Sequence, residues 1–204
     1  MRNLMVNGER LWASLMELAQ IGATPKGGVC RLAASDLDAA ARRLFIRWCE
    51  EAGCTVTVDR IGNIFARRPG RNSALPPVVT GSHLDTQPTG GKFDGAYGVM
   101  AGLEVVRTLN DLGYETEAPI EIVAWTNEEG SRFSPAMVGS GAFTGVFELE
   151  NALETLRSYD TVFVVDDSSS MRGKRWQDVS SIARRLGQLN LPLGIVRLDM
   201  HCLL

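Results

Sequence analysis

Apolar positions along the chain change period several times, and each change marks an element. Across residues 7–20, Leu11, Leu15 and Leu18 recur at helical spacing, and Gly22 and Pro25 close the segment. Ser35 stands ahead of a second helical pattern, Leu37, Ala41, Leu44, Ile46 and Trp48, that ends near Gly53. Residues 55–59 alternate and are rich in β-branched side chains, and 61–67 follow after a short turn, so the pair reads as a hairpin or as adjacent strands. The basic run 67–71 reads as a solvated, turn-forming loop. Residues 78–81 and 120–125 are short apolar runs of the kind that make buried strands. Between them Val99, Leu103, Val106 and Leu109 fall on one helical face. Asp94 and Gly95 stand at the start of that helix and Gly113 just past its end.

Strand, helix and strand at this length make a βαβ unit, so the two strands are expected to run parallel. Parallel strands end on one edge of their sheet. The first strand then delivers His83 and Asp85 to the edge where the second delivers Glu128 and Glu129, and Asp94 opens the helix on the same edge. Ligands of open α/β sheets bind outside the carboxyl ends of the strands. The predicted fold class is therefore α/β, with a mostly parallel sheet flanked by helices.

Singly, these residues have plainer readings. His83 can be a strand-end residue, Asp94 a helix N-cap, and the Glu pair a solvated turn. Jointly they place one imidazole and four carboxylates on one edge. Such a cluster does not stay ionised without a cation, and histidine with carboxylates suits zinc or a similar divalent metal. A carboxylate between two metals roughly 3.5–4 Å apart can bridge them. In an extended His83-Leu84-Asp85, the two polar side chains share a side, so Asp85 is expected to bond the outer imidazole nitrogen and fix its tautomer. Neighbours in the Glu128-Glu129 pair point different ways. One is expected to ligate metal and the other to take a proton from water.

The stretch GSHLDTQPTGGKFDGAYGV, followed by TNEEGSRF and MVGSGAFTG, resembles the amidase, hydantoinase and carbamoylase family of zinc hydrolases, within the larger group of di-metal aminoacylases and exopeptidases. The likeness covers about residues 11–150. The resemblance implies a zinc-exopeptidase-like fold and hydrolysis of C–N bonds in N-carbamoyl amino acids, ureidopropionate or allantoate. It implies two Zn2+ per site, with Mn2+, Co2+ or Ni2+ as alternatives. His83 would be a ligand of one metal, Asp94 the bridge, Glu129 a ligand of the second, Glu128 the general base, and Asp85 the residue behind His83. It also implies that residues 23–32 lie near the substrate entrance and that 137–147, small-residue rich and read as a short helix, help shape the site. Ser140 is not read as a nucleophile, because no second His lies nearby and the G-x-S-x-G elbow is unmatched.

The expected organisation is a partial metal-hydrolase catalytic domain over 1–150 and a second βαβ segment over 151–204. In the second, 161–165 and 193–198 read as strands around a helical stripe of Trp176, Val179, Ile182, Ala183, Leu186 and Leu189. Asp166, Ser168 and Ser170 resemble the D-x-S-x-S magnesium site that opens a von Willebrand factor A domain; as a plain strand-to-helix turn they would cap the helix. The family's catalytic domain continues with a further His in a motif like ELHIEQGP, a lid and dimerisation domain, and a final ligand His. This chain has only His83 and His201. Two expectations follow for it: metal-dependent hydrolysis by a truncated enzyme, or a non-catalytic truncated or fused product, including a faulty gene model, whose divalent-ion site is at Asp166–Ser170. If the second βαβ extends the first sheet, His201 could stand in for a missing ligand. A family-like homodimer is not expected without the lid.

Composition narrows the classes further. A net charge of −3 with mixed signs across 204 residues gives no sign of nucleic-acid binding, and the resemblance implies a small-molecule substrate. No run approaches 18 apolar residues, so no membrane span is expected. The N-terminus lacks a long apolar core of the secretory kind. Four cysteines without a CxxC pattern suit a reducing, cytoplasmic setting.

Overall fold

The computed structural model describes residues 5–157, 163–166 and 195–198. The chain divides into two compact units, Met1–Leu153 and Glu154–Leu204.

In the first unit, α1 (Gly8–Leu18) starts at Asn7, whose side chain accepts from the Arg10 amide. Helix α2 (Asp36–Glu51) starts at Ser35, whose hydroxyl accepts from the Asp38 amide at 3.2 Å, while the Asp38 carboxylate reaches back to the Ala34 amide at 2.9 Å. This reciprocal pairing satisfies two otherwise orphaned donors. The helix ends at Gly53, where the Cys54 amide bonds back to the Cys49 carbonyl. A hairpin follows, β1 (Thr55–Val58) and β2 (Ile64–Arg68). Then come β3 (Val78–His83), α3 (Ala96–Asp111), β4 (Ile120–Trp125) and the short α4 (Val138–Phe143). Helix α5 spans Leu149–Arg157.

The four strands form one sheet in the order β1-β2-β4-β3. Strands β3 and β4 run parallel, in register from Val78 opposite Ile120 to His83 opposite Trp125, as the βαβ pattern predicts. The other two pairings are antiparallel. The sheet of this unit is thus mixed where the sequence predicts a mostly parallel one. The reason is local: the turn between β1 and β2 is too short for a crossover, so β2 can only double back, and it then pairs with β4 on its other side. In the second unit, β5 (Phe163–Asp166) and β6 (Ile195–Leu198) pair in parallel. The predicted stripe between them, the Ser168 and Ser170 part of the proposed magnesium motif, and His201 lie outside the described residues.

One face of the four-stranded sheet carries Ile64, Ala66, Ile120, Ile122 and Ala124. It shares a core with Leu15 and Leu18 of α1, Ala41, Leu44, Phe45 and Trp48 of α2, and Val99, Met100, Leu103 and Val106 of α3. The other face carries Phe65 and Trp125, whose rings meet Phe143 of α4 at 5.5 and 5.3 Å between centroids. Helices therefore flank the sheet on both sides, as the α/β class requires. Among the described residues no helix is long and apolar enough to cross a membrane.

A buried ion pair ties α1 to α3. Glu104 is 1% exposed, and its carboxylate accepts from Arg10 Nε and Nη2, both at 2.8 Å, from the Asn7 amide at 3.0 Å and from the Thr108 hydroxyl at 3.0 Å. Burial by itself would raise the Glu104 pKa, but these donors together hold it below its ordinary value of 4.5. A carboxyl with a lowered folded pKa adds stability that is fully present above its unfolded pKa and is lost as pH falls through the folded one. Glu104→Gln is therefore expected to cost about 2 kcal/mol at pH 7. Its deficit against the parent should shrink as pH falls below the ordinary glutamate range. Thermal unfolding across that range checks this, and a deficit independent of pH would remove the ionised pair as its cause.

Candidate metal centre

Residues of the predicted constellation come from the carboxyl ends of β3 and β4 and from the start of α3. His83 ends β3 and is buried. Its ring packs flat on Gly95, the residue that opens α3 with φ +65°; a Cβ at Gly95 would fall on the imidazole. Gly95 thus serves two needs at once, a positive φ at the helix start and close approach of the ring.

The imidazole Nδ1 lies 2.9 Å from the backbone carbonyl of Asp85. A carbonyl only accepts, so Nδ1 carries the hydrogen and, in the neutral ring, Nε2 presents its lone pair. Nε2 faces Glu128 Oε2 at 3.2 Å and Asp94 Oδ1 at 4.0 Å. The Asp85 carboxylate is not the group that fixes the ring, since it stands 3.8 Å from Nδ1. The i, i+2 alternation expected for His83 and Asp85 holds only inside a strand, and β3 ends at His83.

The Asp85 carboxylate instead faces the Glu pair. It is 3% exposed and accepts the Glu128 amide on Oδ1 at 3.3 Å and the Glu129 amide on Oδ2 at 3.2 Å. Burial pushes its pKa above the ordinary value of 3.8, against the lowering effects of the Glu129 amide, the His83 ring and the Glu128 amide. Glu129 in turn accepts from Gln87 Nε2 at 3.0 Å through its carboxylate.

The turn bearing the Glu pair is fixed from below. The amides of Met137, Val138 and Gly139 bond to the carbonyls of Glu128, Asn127 and Thr126 at 2.8, 3.3 and 2.9 Å. Asn63, fully buried, accepts from the Thr126 amide at 3.0 Å and donates to the Gly139 carbonyl at 2.9 Å and to Asp59 Oδ2 at 2.8 Å. A side chain at position 139 would collide with the Asn63 amide oxygen. Segment 137–143 therefore underlies the site. Ser140 donates only to the Met137 carbonyl. Segment 23–32 lies beside 86–90 through the Val29 amide, which bonds to the Gly90 carbonyl at 2.9 Å.

The donor chemistry fits a divalent cation in part. A lone pair on Nε2 facing a carboxylate at 3.2 Å is a contact between two acceptors unless a proton or a metal ion lies between them. Two ligands of one zinc ion, each bonded at about 2.0–2.2 Å, stand roughly 3–3.5 Å apart, somewhat closer than His83 and Asp94. Among the described residues no three His, Cys, Asp or Glu side chains close into a complete cage. The structure thus gathers His83, Glu128 and Asp94 around Nε2, holds Asp85 behind them, and turns Glu129 towards Gln87. Gln87, inside the recognised stretch but given no role there, and Asn63, outside every motif, are also part of the arrangement.

Replacing Asp85 by Asn removes one of the two oxygens that receive the Glu amides and sets an N–H donor against another. Exchange of the Glu128 and Glu129 amide hydrogens is expected to speed up about tenfold or more in Asp85→Asn, with the exchange of core strand amides unchanged. Unaltered protection at both positions would show that the carboxylate does not hold the turn.

Comparison with known proteins identifies the family. The profile of Peptidase family M28 matches residues 63–186, which carries the likeness past residue 150. An N-carbamoyl-L-amino-acid amidohydrolase of Rhizobium meliloti is 57% identical over 150 residues, covering 74% of this chain and 36% of that protein. A ureidoglycolate hydrolase of Arabidopsis thaliana is 37% identical, covering 75% of this chain and 32% of its own. The crystal structure of an amidase of the hydantoinase/carbamoylase family from Burkholderia multivorans is 70% identical, with a TM-score of 0.72 over 72% of this chain and 36% of the other. The chain spans about a third of the length of these relatives. The resemblance seen in the GSHLDT, GGKFDG and NEEGSRF motifs is thus upheld, and by the extent of the profile match the chain belongs to Peptidase family M28.

Proposed function

We propose that this chain carries part of a divalent-metal hydrolase site acting on linear C–N bonds of small N-carbamoyl amino acids or ureido compounds. The observation that carries the reading is the His83 ring, held with its Nε2 lone pair towards Glu128 and Asp94. The names of the relatives, N-carbamoyl-L-amino-acid amidohydrolase and ureidoglycolate hydrolase, support the substrate class.

His83 and Asp94 would hold one metal ion, Asp94 would also face a second, and Glu129 would hold that second. Zinc suits the imidazole and carboxylate donors best, with Mn2+, Co2+ or Ni2+ as alternatives. When bound, the metal supplies a Lewis acid that polarises the scissile carbonyl and lowers the pKa of water. Glu128, partly open to solvent, acts as general base: its carboxylate takes a proton from the attacking water as the new C–O bond forms at the carbonyl carbon, then hands that proton to the leaving nitrogen as the C–N bond breaks in the second step. Asp85 keeps the Glu128 backbone in place and, through its carbonyl, keeps the His83 proton on Nδ1. The free thiols of Cys30, Cys49 and Cys54 support a reducing, cytoplasmic setting.

The test joins metal content to turnover. The purified, buffer-exchanged chain is expected to retain zinc by elemental analysis and His83→Ala to lose it. Glu128→Gln should keep the metal and lose hydrolysis of an N-carbamoyl amino acid by roughly 10²–10⁴-fold. A parent chain that retains no zinc would remove the metal reading. Undiminished turnover in Glu128→Gln would remove the base.

A further inference from the structure

A guanidinium buried directly behind the strand end has no part in the chemistry above. Arg31 is 1% exposed, the largest of the fully buried side chains. No ion pair joins it among the described residues. Its Nε donates to the Leu84 carbonyl at 2.8 Å, and its Nη1 donates to the Ile21 carbonyl at 2.7 Å and to the Leu18 carbonyl at 3.3 Å. Leu18 is the last residue of α1, so a cation sits against the carbonyl end of that helix, where the helix dipole favours it. The Arg31 backbone grips the same strand end a second time. Its amide donates to the Thr86 hydroxyl at 2.8 Å, and its carbonyl accepts from the Thr86 amide at 2.8 Å.

Both chain neighbours of Asp85, Leu84 and Thr86, are therefore held by one residue. Asp85 itself carries the two contacts that organise the site, its carbonyl to His83 Nδ1 and its carboxylate to the Glu128 and Glu129 amides. The Arg31 charge also lies close enough to Asp85 and Asp38 for their negative charges to oppose the lowering of its pKa by burial.

We propose that Arg31 is the positioning residue of this site: from behind, it clamps Leu84 and Thr86 so that Asp85 fixes the His83 tautomer and the Glu turn. Its planar fork reaches carbonyls of α1, of the turn that follows it and of the strand end together, which the single ammonium of lysine does not. A buried arginine serving only to fill space would not tie the Leu84 carbonyl of this strand end to the Leu18 and Ile21 carbonyls at the end of α1. The effect on metal binding rests on the metal-hydrolase reading above, whereas the effect on the ring does not.

The deciding measurement is the nitrogen NMR of the His83 ring in the metal-free, full-length chain, at a pH where the imidazole is neutral. In the parent, the Nδ1–H form is expected to dominate. In Arg31→Lys, the ring should shift towards a mixture containing the Nε2–H form favoured by free imidazole, while thermal unfolding stays cooperative. Glu104→Gln, which loosens the fold at the far side of α3, should leave the ring unchanged. If Arg31→Lys does not fold, Thr86→Val removes one grip while keeping the guanidinium, and it should shift the ring in the same direction. Zinc affinity, read by competition with a chromophoric chelator, should fall about 10- to 100-fold in the variant that shifts the ring. Ring nitrogens unchanged in a folded Arg31→Lys or Thr86→Val protein would overturn the proposal, as would an equal shift in Glu104→Gln. A parent that binds no zinc would defeat the metal reading but leave the ring nitrogens to decide the role of Arg31.

Discussion

A carboxylate cannot be buried without partners, and much of this site follows from how Asp85 meets that constraint. Its two oxygens reach the amides of Glu128 and Glu129. These amides belong to a turn at the end of a different strand, so one side chain welds the ends of β3 and β4 together. The same residue uses its carbonyl to hold the imidazole of His83. The geometry of three functional groups thus depends on one short segment, and a change there is felt at all three. This is more economical of residues than separate supports, and more vulnerable, because the desolvation cost of the carboxylate is offset only while both amides stay in place.

The rest of the fold supplies the rigidity this needs. Parallel pairing of β3 with β4 fixes the two strand ends side by side, and α3 packs across both. Helix α3 is in turn pinned to α1 through Glu104 and Arg10, and α1 presents its carbonyl end to Arg31. On the opposite face, α4 carries the backbone donors that anchor residues 126–128 and the ring that covers Phe65 and Trp125. The Glu turn is therefore bonded to Asp85 and Gln87 on one side and to Asn63 and residues 137–139 on the other.

The sequence makes the long elements legible, because their signals are repeated over many residues. Helices α1 and α2, the Ser35 cap of α2, the hairpin, α3 and its flanking strands are found where the sequence pattern puts them. Topology then carries His83, Asp94 and the Glu pair to one edge. What periodicity misses depends on contacts distant in sequence. Leu37 falls within the apolar pattern of α2 yet is 45% exposed, while Phe45 is fully buried. Glu104 is buried beside Arg10, a partner far away in the chain that no local pattern announces. Arg31 sits in a glycine-rich loop with no periodic signal at all. The Asp85 side chain is misread for a different reason: alternation is a rule for strands, and the strand stops two residues earlier.

Electrostatics then sets what the assembled edge can do. Asp85, Asp94, Glu128 and Glu129 bring four carboxylates to one region, and Arg31 is the cation buried behind them. Arg31 makes its bonds to carbonyls, so its charge is not consumed by a partner, yet it lies behind Asp85 rather than among the groups that face solvent. It can offset the carboxylates of Asp38 and Asp85 beside it. Because His83 is fixed by the Asp85 carbonyl and the Glu turn by backbone bonds and the Asp85 carboxylate, neither is held in place by a bound metal ion. At this edge the His83 ring is already oriented, whereas Asp94 stands 4.0 Å from its Nε2 and Glu129 is engaged with Gln87. The arrangement of His83, Asp85 and Glu128 thus rests on contacts that reach from Leu18 of α1, through Arg31, to Gly139 behind the Glu turn.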